Sequence, residues 1–394
     1  MPVTSPAHVR RARGVLPLIA VVAIAAVALA GCGSSGSSGD SSSTAGSSSS
    51  SAAVAQAKKE VARYYKGTWQ NPPAKSPPPA RGKNVWVISC GQSAESCAAP
   101  IRGVTDAAKL MGWKTNLVDA KFDPAKFGEG VRQAIAAHAD AVIIDAADCD
   151  LIKQPLVDAK RAKMPVVGLE GLDCSETHPG AESLFIKPFA YAGGTFRQAV
   201  IDSGELQADY IIAKTNGKAK VINFSTTESS VVGLIQEGFE SRMKQCTSCK
   251  VVAKVSFVSA DLGPKLQQRA QQVISQHPEA NAIQVPYDSV IVSAAGPAVR
   301  ASGRTNLLIM GGEGFNLDLI RQGVQQDAAE PSSAGWTGFA AVDTLNRYFH
   351  GEGPAPSGLG MQLIDADHGL PASGPFNPPI DYVAEYKQAW GVGS

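Results

Sequence analysis

The chain has 394 residues and 40.9 kDa, with 44% hydrophobic and 18% charged side chains; at roughly 100–200 residues per domain this is two or three domains with real cores. Its 36 Lys and Arg against 35 Asp and Glu leave a net charge of +1, which excludes the strong basic field of a nucleic-acid binder. Three of the basic residues, Arg10, Arg11 and Arg13, precede residue 32, where Asp and Glu are absent, so the remainder carries 33 basic against 35 acidic groups, a net −2.

Residues 1–14 are basic and residues 15–30 form an unbroken apolar run, the order of the first two regions of a secretory signal. The run falls short of the about 20 residues that a helical membrane span needs. It ends in Leu29-Ala30-Gly31-Cys32, which resembles a bacterial lipobox, where Cys32 is acylated once the chain is cut before it. An uncut signal-anchor helix is the competing reading. Residues 33–51 are almost wholly Ser and Gly and behave as a flexible linker. The expectation is an exported chain held by lipid to the outer face of the cytoplasmic membrane, in the cell envelope.

Setting Cys32 aside leaves Cys90, Cys97, Cys149, Cys174, Cys246 and Cys249, an even number that in an exported chain reads as disulfides. Six cysteines permit about 15 pairings; sequence neighbours, 90 with 97, 149 with 174 and 246 with 249, are favoured. Zinc binding at Cys246-Thr-Ser-Cys249 would need a second ligand pair nearby, and none follows at a suitable spacing. A redox reading would need the motif at a helix start, whereas here it falls between a helix and a strand. A structural clip is the reading retained.

Residues 52–66 suit a short helix, and residues 71–82 form a Pro-rich spacer with little intrinsic fold. Strand-length apolar runs then occur at 84–89, 115–118, 141–145 and 164–169. Between them lie helices, the first with Ile101, Val104, Ala108 and Met111 on one face, then 127–138 and 151–162. After residues 183–186 the pattern starts again. A second series starts with a helix over 192–213 and a strand at 220–224. It continues with a helix carrying Val232, Ile235, Phe239 and Met243 on one stripe, strands at 251–255, 282–285 and 307–310, and helices over 265–276 and 289–302. A last helix spans about 334–350. Strands without polar alternation, separated by helices, mean parallel sheets covered on both faces. The fold class is therefore α/β, with two doubly wound lobes. Ligands of such sheets bind beyond the carboxyl ends of the strands, and two facing sheets make their crevice the default site.

Ordered landmarks carry a resemblance. Met164-Pro-Val-Val-Gly-Leu-Glu170, Tyr191-Ala-Gly-Gly194, Gln236-Glu-Gly-Phe239, Pro286-Tyr-Asp288 and Met310-Gly-Gly-Glu313 resemble, in sequence order, motifs of the type I, ribose-binding-like periplasmic substrate-binding proteins of ABC transporters. The resemblance covers about residues 84–366. It implies two lobes joined by three hinge strands, closing on a small polar, sugar-like ligand that is delivered to ABC permease subunits by a monomer. Expected boundaries are 1–31 for the signal, 32–83 for the tether, helix and spacer, 84–188 plus about 330–363 for the first lobe, and 189–329 plus about 364–394 for the second. The same lobes occur in LacI-type repressors, which carry an N-terminal DNA-binding helix-turn-helix; a signal and tether stand in that place here.

By this resemblance Ser89, Cys90, Gln92, Asp145 and Glu170 are ligand-binding candidates in the first lobe, and Asp288 and Glu313 in the second. Trp336, where the chain returns toward the first lobe, could stack on a sugar ring. Carboxylates accept hydroxyl hydrogen bonds in pairs and aromatic rings cover apolar ring faces. Two departures stand out. Sugar binders of this branch carry Asp-Arg after the fourth strand, where this chain has Glu170-Gly171, and an Arg before the "GF" helix, whereas residues 226–240 hold neither Arg nor Lys. Losing both bidentate donors weakens the case for a pentose or hexose and suits a hydroxylated neutral or a cationic ligand better than an anion. No Gly-x-Ser-x-Gly elbow, phosphate loop or His-Glu-x-x-His is present, and Gly311-Gly-Glu-Gly314 lacks dinucleotide-loop spacing. The expectation is thus no enzyme, no cofactor and no metal. A ligand-sensing lipoprotein that signals to a membrane kinase is the alternative, and a secreted hydrolase a remote one.

Overall fold

The computed structural model describes residues 43–393, in which the alternating apolar runs and amphipathic helices form two mainly parallel sheets. Helix α1 (Ser43–Tyr65) precedes β1 (Asn84–Ser89), α2 (Glu95–Leu110), β2 (Lys114–Asp119) and α3 (Pro124–Ala136). β3 (Ala141–Asp145), α4 (Lys153–Arg161), β4 (Val166–Leu169) and the one-turn α5 (Cys174–Thr177) complete the first series. The four strands lie in the order β2-β1-β3-β4, all parallel. β3 is buried along its whole length, which is why its sequence shows no polar alternation.

The second series runs α6 (Phe196–Lys214), β5 (Lys220–Ser225), α7 (Ser230–Gln245), β6 (Lys250–Ser256), α8 (Pro264–Gln276) and β7 (Ala282–Gln284). One continuous helix follows, from α9 (Asp288–Val290) through a π-turn (Ile291–Ala295) into α10 (Gly296–Ser302). After it come β8 (Leu308–Met310), α11 (Leu317–Arg321), β9 (Ala328–Ala329), α12 (Ala334–Phe349), β10 (Ile364–Asp365) and α13 (Tyr382–Trp390). The second sheet has the order β10-β9-β8-β7-β5-β6, with β10 antiparallel to β9 and the other pairs parallel. In both sheets the strand order reverses beside the first strand of the series, the place where a crevice opens at the carboxyl ends.

Polar caps set where several helices begin. The Asp123 carboxylate accepts from Ala125 N before Pro124, and the Ser229 hydroxyl accepts from Val232 N. The Thr195 hydroxyl accepts from Gln198 N, so α6 starts at Phe196 rather than at the expected 192, and Tyr191 and Gly194 close a turn instead. The stretch at 183–186 is extended but adds no ladder strand; Ile186 N donates to Val166 O at 2.9 Å. Glycines allow two close helix crossings. A Cβ on Gly103 of α2 would lie 2.3 Å from Gly335 O of α12, and one on Gly238 of α7 2.0 Å from Ile201 O of α6. Each crossing therefore needs glycine to bring the backbones together.

The lobe boundaries differ from the sequence expectation at both ends. Residues 53–83 do not hang free: Ala57, Val61 and Tyr64 of α1 are buried against α6 and α7 in the second lobe's core. The chain then pairs with the hinge, Thr68 N to Met361 O and Gln70 N to Gly358 O, both 3.0 Å. The Pro-rich stretch follows α12 on the first lobe, where Ser76 Oγ donates to Asp343 Oδ1 at 2.5 Å and Ala80 N to Asn346 Oδ1 at 2.9 Å. At the other end, β10 and Phe376 stay with the second lobe, but Tyr386 and Trp390 of α13 are buried in the first lobe's core. The reason is aromatic: Trp390 stacks on Phe339 of α12, and its Nε1–H donates to Asp343 at 2.8 Å. The Cys32 anchor expected from the sequence lies outside the described residues.

Asp343 thus joins the strap, α12 and α13, and also accepts from Arg347 at 2.8 Å while 3% exposed. Asp343→Ala removes the acceptor of the Arg347 Nε–H, the Trp390 indole N–H and the Ser76 hydroxyl, while the guanidinium keeps Glu352 and Lys75 O. It should cost about 3–5 kcal/mol in chemical denaturation, the range for removing one partner of a buried ion pair. A loss below about 1 kcal/mol would show that the strap and α13 do not share this acceptor.

Candidate functional site

At the end of β1 the chain turns through Ser89, Cys90, Gly91 and Gln92. Cys90 is disulfide-bonded to Cys97 at the start of α2, Gln92 Nε2 donates to Ser89 Oγ at 2.7 Å, and Gln92 N donates to Asp119 at 3.1 Å. The other two expected bridges are formed as well. Cys149–Cys174 ties the loop after β3 to the loop after β4, and Cys246–Cys249 clips α7 to β6. The loops at the first sheet's carboxyl edge are therefore covalently held.

Asp145 ends β3 fully buried, with Oδ2 3.1 Å from the Cys90 sulfur and Oδ1 without a partner. Glu170 follows β4 in a left-handed conformation (φ 54°) and is partly exposed. Burial first, and then the Glu170 charge, push the Asp145 carboxyl well up; burial pushes Glu170 up to about 7. The Tyr191 phenol lies near both, its own ionisation driven up by burial and by these two acids. No sequence pattern singles Tyr191 out as a site residue, because Tyr191-Ala-Gly-Gly194 carries only the signature of a helix start.

In the second lobe, Asp288 begins the helix after β7 and is gripped by the Gly-rich turn. Its Oδ2 accepts from Phe315 N at 2.8 Å, and its own N–H donates to Glu313 Oε2 at 2.9 Å. A Cβ on Gly312 would lie 2.3 Å from Asp288 Oδ1, so Gly311-Gly-Glu-Gly314 exists to wrap this carboxylate. Glu330, on the way out of β9, accepts from Gln207 and from Ser203 at 3.2 Å, while its Oε2 has no partner. Burial pushes Glu330 up to about 8, and burial together with Asp288 drives Glu313 up. Behind these acids Asn223 donates to Gln284 at 2.5 Å and to Gln236 at 2.7 Å, and Gln284 donates to Gln207. The signal for this network was readable: Asn223 and Gln284 are polar residues inside otherwise apolar strands.

The two polar edges face each other. Leu172, just past Glu170, packs with Val200, Leu234 and Ile235 of the second lobe, and Asp148 accepts from both Leu172 N (2.9 Å) and Ser230 N (3.3 Å). Ser89, Cys90, Gln92, Asp145 and Glu170 therefore stand on one wall and Asp288 and Glu313 on the other, as residues at the strand ends. Trp336 does not. It is 0% exposed, its Nε1–H donates to Ser357 O at 3.0 Å, and it stacks between Trp69 and Tyr382. It belongs to the core beneath the hinge, because α12 turns that face toward α13 and the strap. Cys90 contributes a disulfide sulfur and backbone, not a thiol.

A family model for the periplasmic binding protein domain matches residues 86–353. The chain belongs to that family. Solved periplasmic binding proteins share the fold. The arabinose-transporter binding component of Shewanella sp. ANA-3, bound to L-arabinofuranose, superposes with TM-score 0.58 at 19% identity, covering 78% of this chain and 95% of that one. GanP, a glucose-galactose binding protein from Geobacillus stearothermophilus, gives 0.62 at 17%, covering 73% and 98%. An ABC transporter solute-binding protein from Mycobacterium smegmatis with bound glycerol gives 0.62 at 16%, covering 75% and 100%. Among curated protein sequences none matches. Among the described residues no helix is long and apolar enough to cross a membrane.

The raised carboxyls of this periplasmic binding protein set a pH dependence. A carboxyl whose folded pKa lies above its unfolded value of about 4.3 stabilises the fold below that value and loses the contribution as pH rises through the folded pKa. For Glu330 this window closes at about 8. Glu330→Gln should therefore match the parent below about pH 4 and exceed its stability by roughly 1–3 kcal/mol near pH 8. Parallel stability–pH curves from denaturant titrations would show Glu330 to be ordinarily ionised.

Proposed function

We propose that the protein captures a small polyhydroxylated solute between its two lobes and delivers it to the permease subunits of an ABC importer. It works as a monomer, without catalysis, cofactor or metal, held to the outer face of the cytoplasmic membrane by lipid on Cys32. The observation that carries this reading is the pair of facing polar edges. Asp145 and Glu330, one on each lobe, bury carboxylate oxygens that have no protein partner, which is costly unless a ligand supplies donors. The sugars and glycerol in the neighbouring structures support hydroxyl donors as that complement. A ligand touching both walls draws the lobes together in proportion to its preference for the closed state.

Two measurements test the reading. In a thermal-shift screen of the purified chain against sugars, polyols and amines, one class should stabilise, by about 2.7 kcal/mol at 100 times its dissociation constant. Asp145→Asn and Glu313→Ala should each weaken that ligand by about 1–3 kcal/mol. Unchanged affinity in both variants, or turnover of the ligand, would overturn it. Cys32→Ser should release the chain from the membrane fraction; retention would remove the lipid anchor from the account.

A further inference from the structure

The charge of the site points to something narrower than a sugar-like solute. Asp145, Glu170, Asp288, Glu313 and Glu330 stand at the two facing edges, and among the described residues none of them makes an ion pair with Lys, Arg or His. The groups that face them are acids, neutral side chains or backbone. Tyr191 and the Cys90–Cys97 disulfide lie against Asp145 and Glu170. Asn316, Gln326, Gln207, Ser203 and Tyr287 lie against the second-lobe acids, with Glu228 beyond Tyr287. Asp145 is 0%, Asp288 4% and Glu330 8% exposed. Independently of charge, Asp145 Oδ1, Glu330 Oε2 and Gln326 Oε1 are buried acceptors with no donor.

We propose that the ligand of this cleft is a small organic cation, a polyol bearing a protonated amine, whose nitrogen is held between the carboxylates of the two lobes. The inference rests on the solute-binding reading of the same cleft and adds the ligand's charge. Each wall keeps a buried acceptor without a donor, Asp145 Oδ1 on one and Glu330 Oε2 on the other, and an ammonium offers only donors, three of them on one compact charge. A neutral polyol brings no charge to balance an ionised carboxylate, so with it the acids would have to keep their protons in the closed cleft. An anion would be repelled from both walls. A bare metal ion fits poorly, because the carboxylates are dispersed. Among the described residues the one group offering three ligand atoms within 4.8 Å is Cys90, Cys97 and Asp145, and its sulfurs are spent in a disulfide. In the free protein, protons stand in for the missing cation, since burial holds Glu170 and Glu330 at about 7 and about 8. Amine binding therefore expels protons.

The test compares N-methylglucamine with glucitol, which share one polyol chain and differ in the charged amine, with putrescine and glucuronate as further probes. Isothermal titration of the full chain in detergent should show N-methylglucamine binding at least about tenfold tighter than glucitol, and tightening as pH rises from about 6 to about 8, with proton release seen as buffer-dependent heat. Glu330→Gln and Asp145→Asn should each cut the preference about tenfold, with thermal unfolding confirming the fold. Equal binding of glucitol and N-methylglucamine, or glucitol alone binding, would overturn the charge assignment and leave the two-lobe reading standing. Amine binding indifferent to both substitutions would overturn both readings, since the ligand would then sit elsewhere. Binding of neither polyol nor of putrescine would overturn the proposed ligand class.

Discussion

Carboxylates buried without a counter-ion are the constraint around which the cleft is arranged. Removing a carboxylate from water costs several kcal/mol, and a folded chain recovers this through a cation, through donors, or by keeping the proton. Asp288 takes the second route, with the Gly-rich turn placing Phe315 N on its oxygen. Asp145 and Glu330 are left short of donors, and their carboxyls keep the proton further up the pH scale. A scaffold that maintains this imbalance must be rigid enough to resist relaxing it away. The disulfides at Cys90–Cys97 and Cys149–Cys174, both at the edge of the first sheet, supply that rigidity where Asp145 stands.

Rigidity extends to the hinge. Besides the crossings at 170–195, 330–333 and 351–363, the chain passes between lobes at 66–83 and again at 366–381. Trp69 from the first of these extra passes stacks on Trp336 and on Phe376 of the second, so the added segments hold each other as well as the hinge. The strap pairs with residues 358–361 and so ties α1 to the hinge. Residues that read as spacer in the sequence are thus packed against the hinge and against the last interlobe segment.

Much of this was legible in advance, and the omissions have physical causes. Both doubly wound series, their order and the three disulfide pairs follow from unbroken apolar runs, helical stripes and short cysteine spacings. The acids at strand ends were legible because topology alone places them. Trp336 misled because an aromatic near a crossover looks the same whether it covers a ligand or a core, and only the partners Trp69 and Tyr382 decide. Those partners come from segments of low complexity or beyond the repeating pattern, where periodicity carries no information. The strap and α13 were misread for the same reason: Pro-rich and short terminal segments gain their structure from tertiary contacts, here Asp343 and Phe339, not from propensity. Glu330 escaped because nothing local distinguishes it from a solvated loop acid.

Infrared difference spectroscopy of the ligand-free chain tests the uncompensated carboxylates most directly, since the protonated carboxyl stretch is separate from that of the ionised group. The prediction is a protonated-carboxyl band that persists above about pH 6 and contains a component with midpoint near 8 that is lost in Glu330→Gln and one near 7 that is lost in Glu170→Gln. Complete ionisation of every carboxyl by about pH 5, well above ordinary Asp and Glu values, would contradict it.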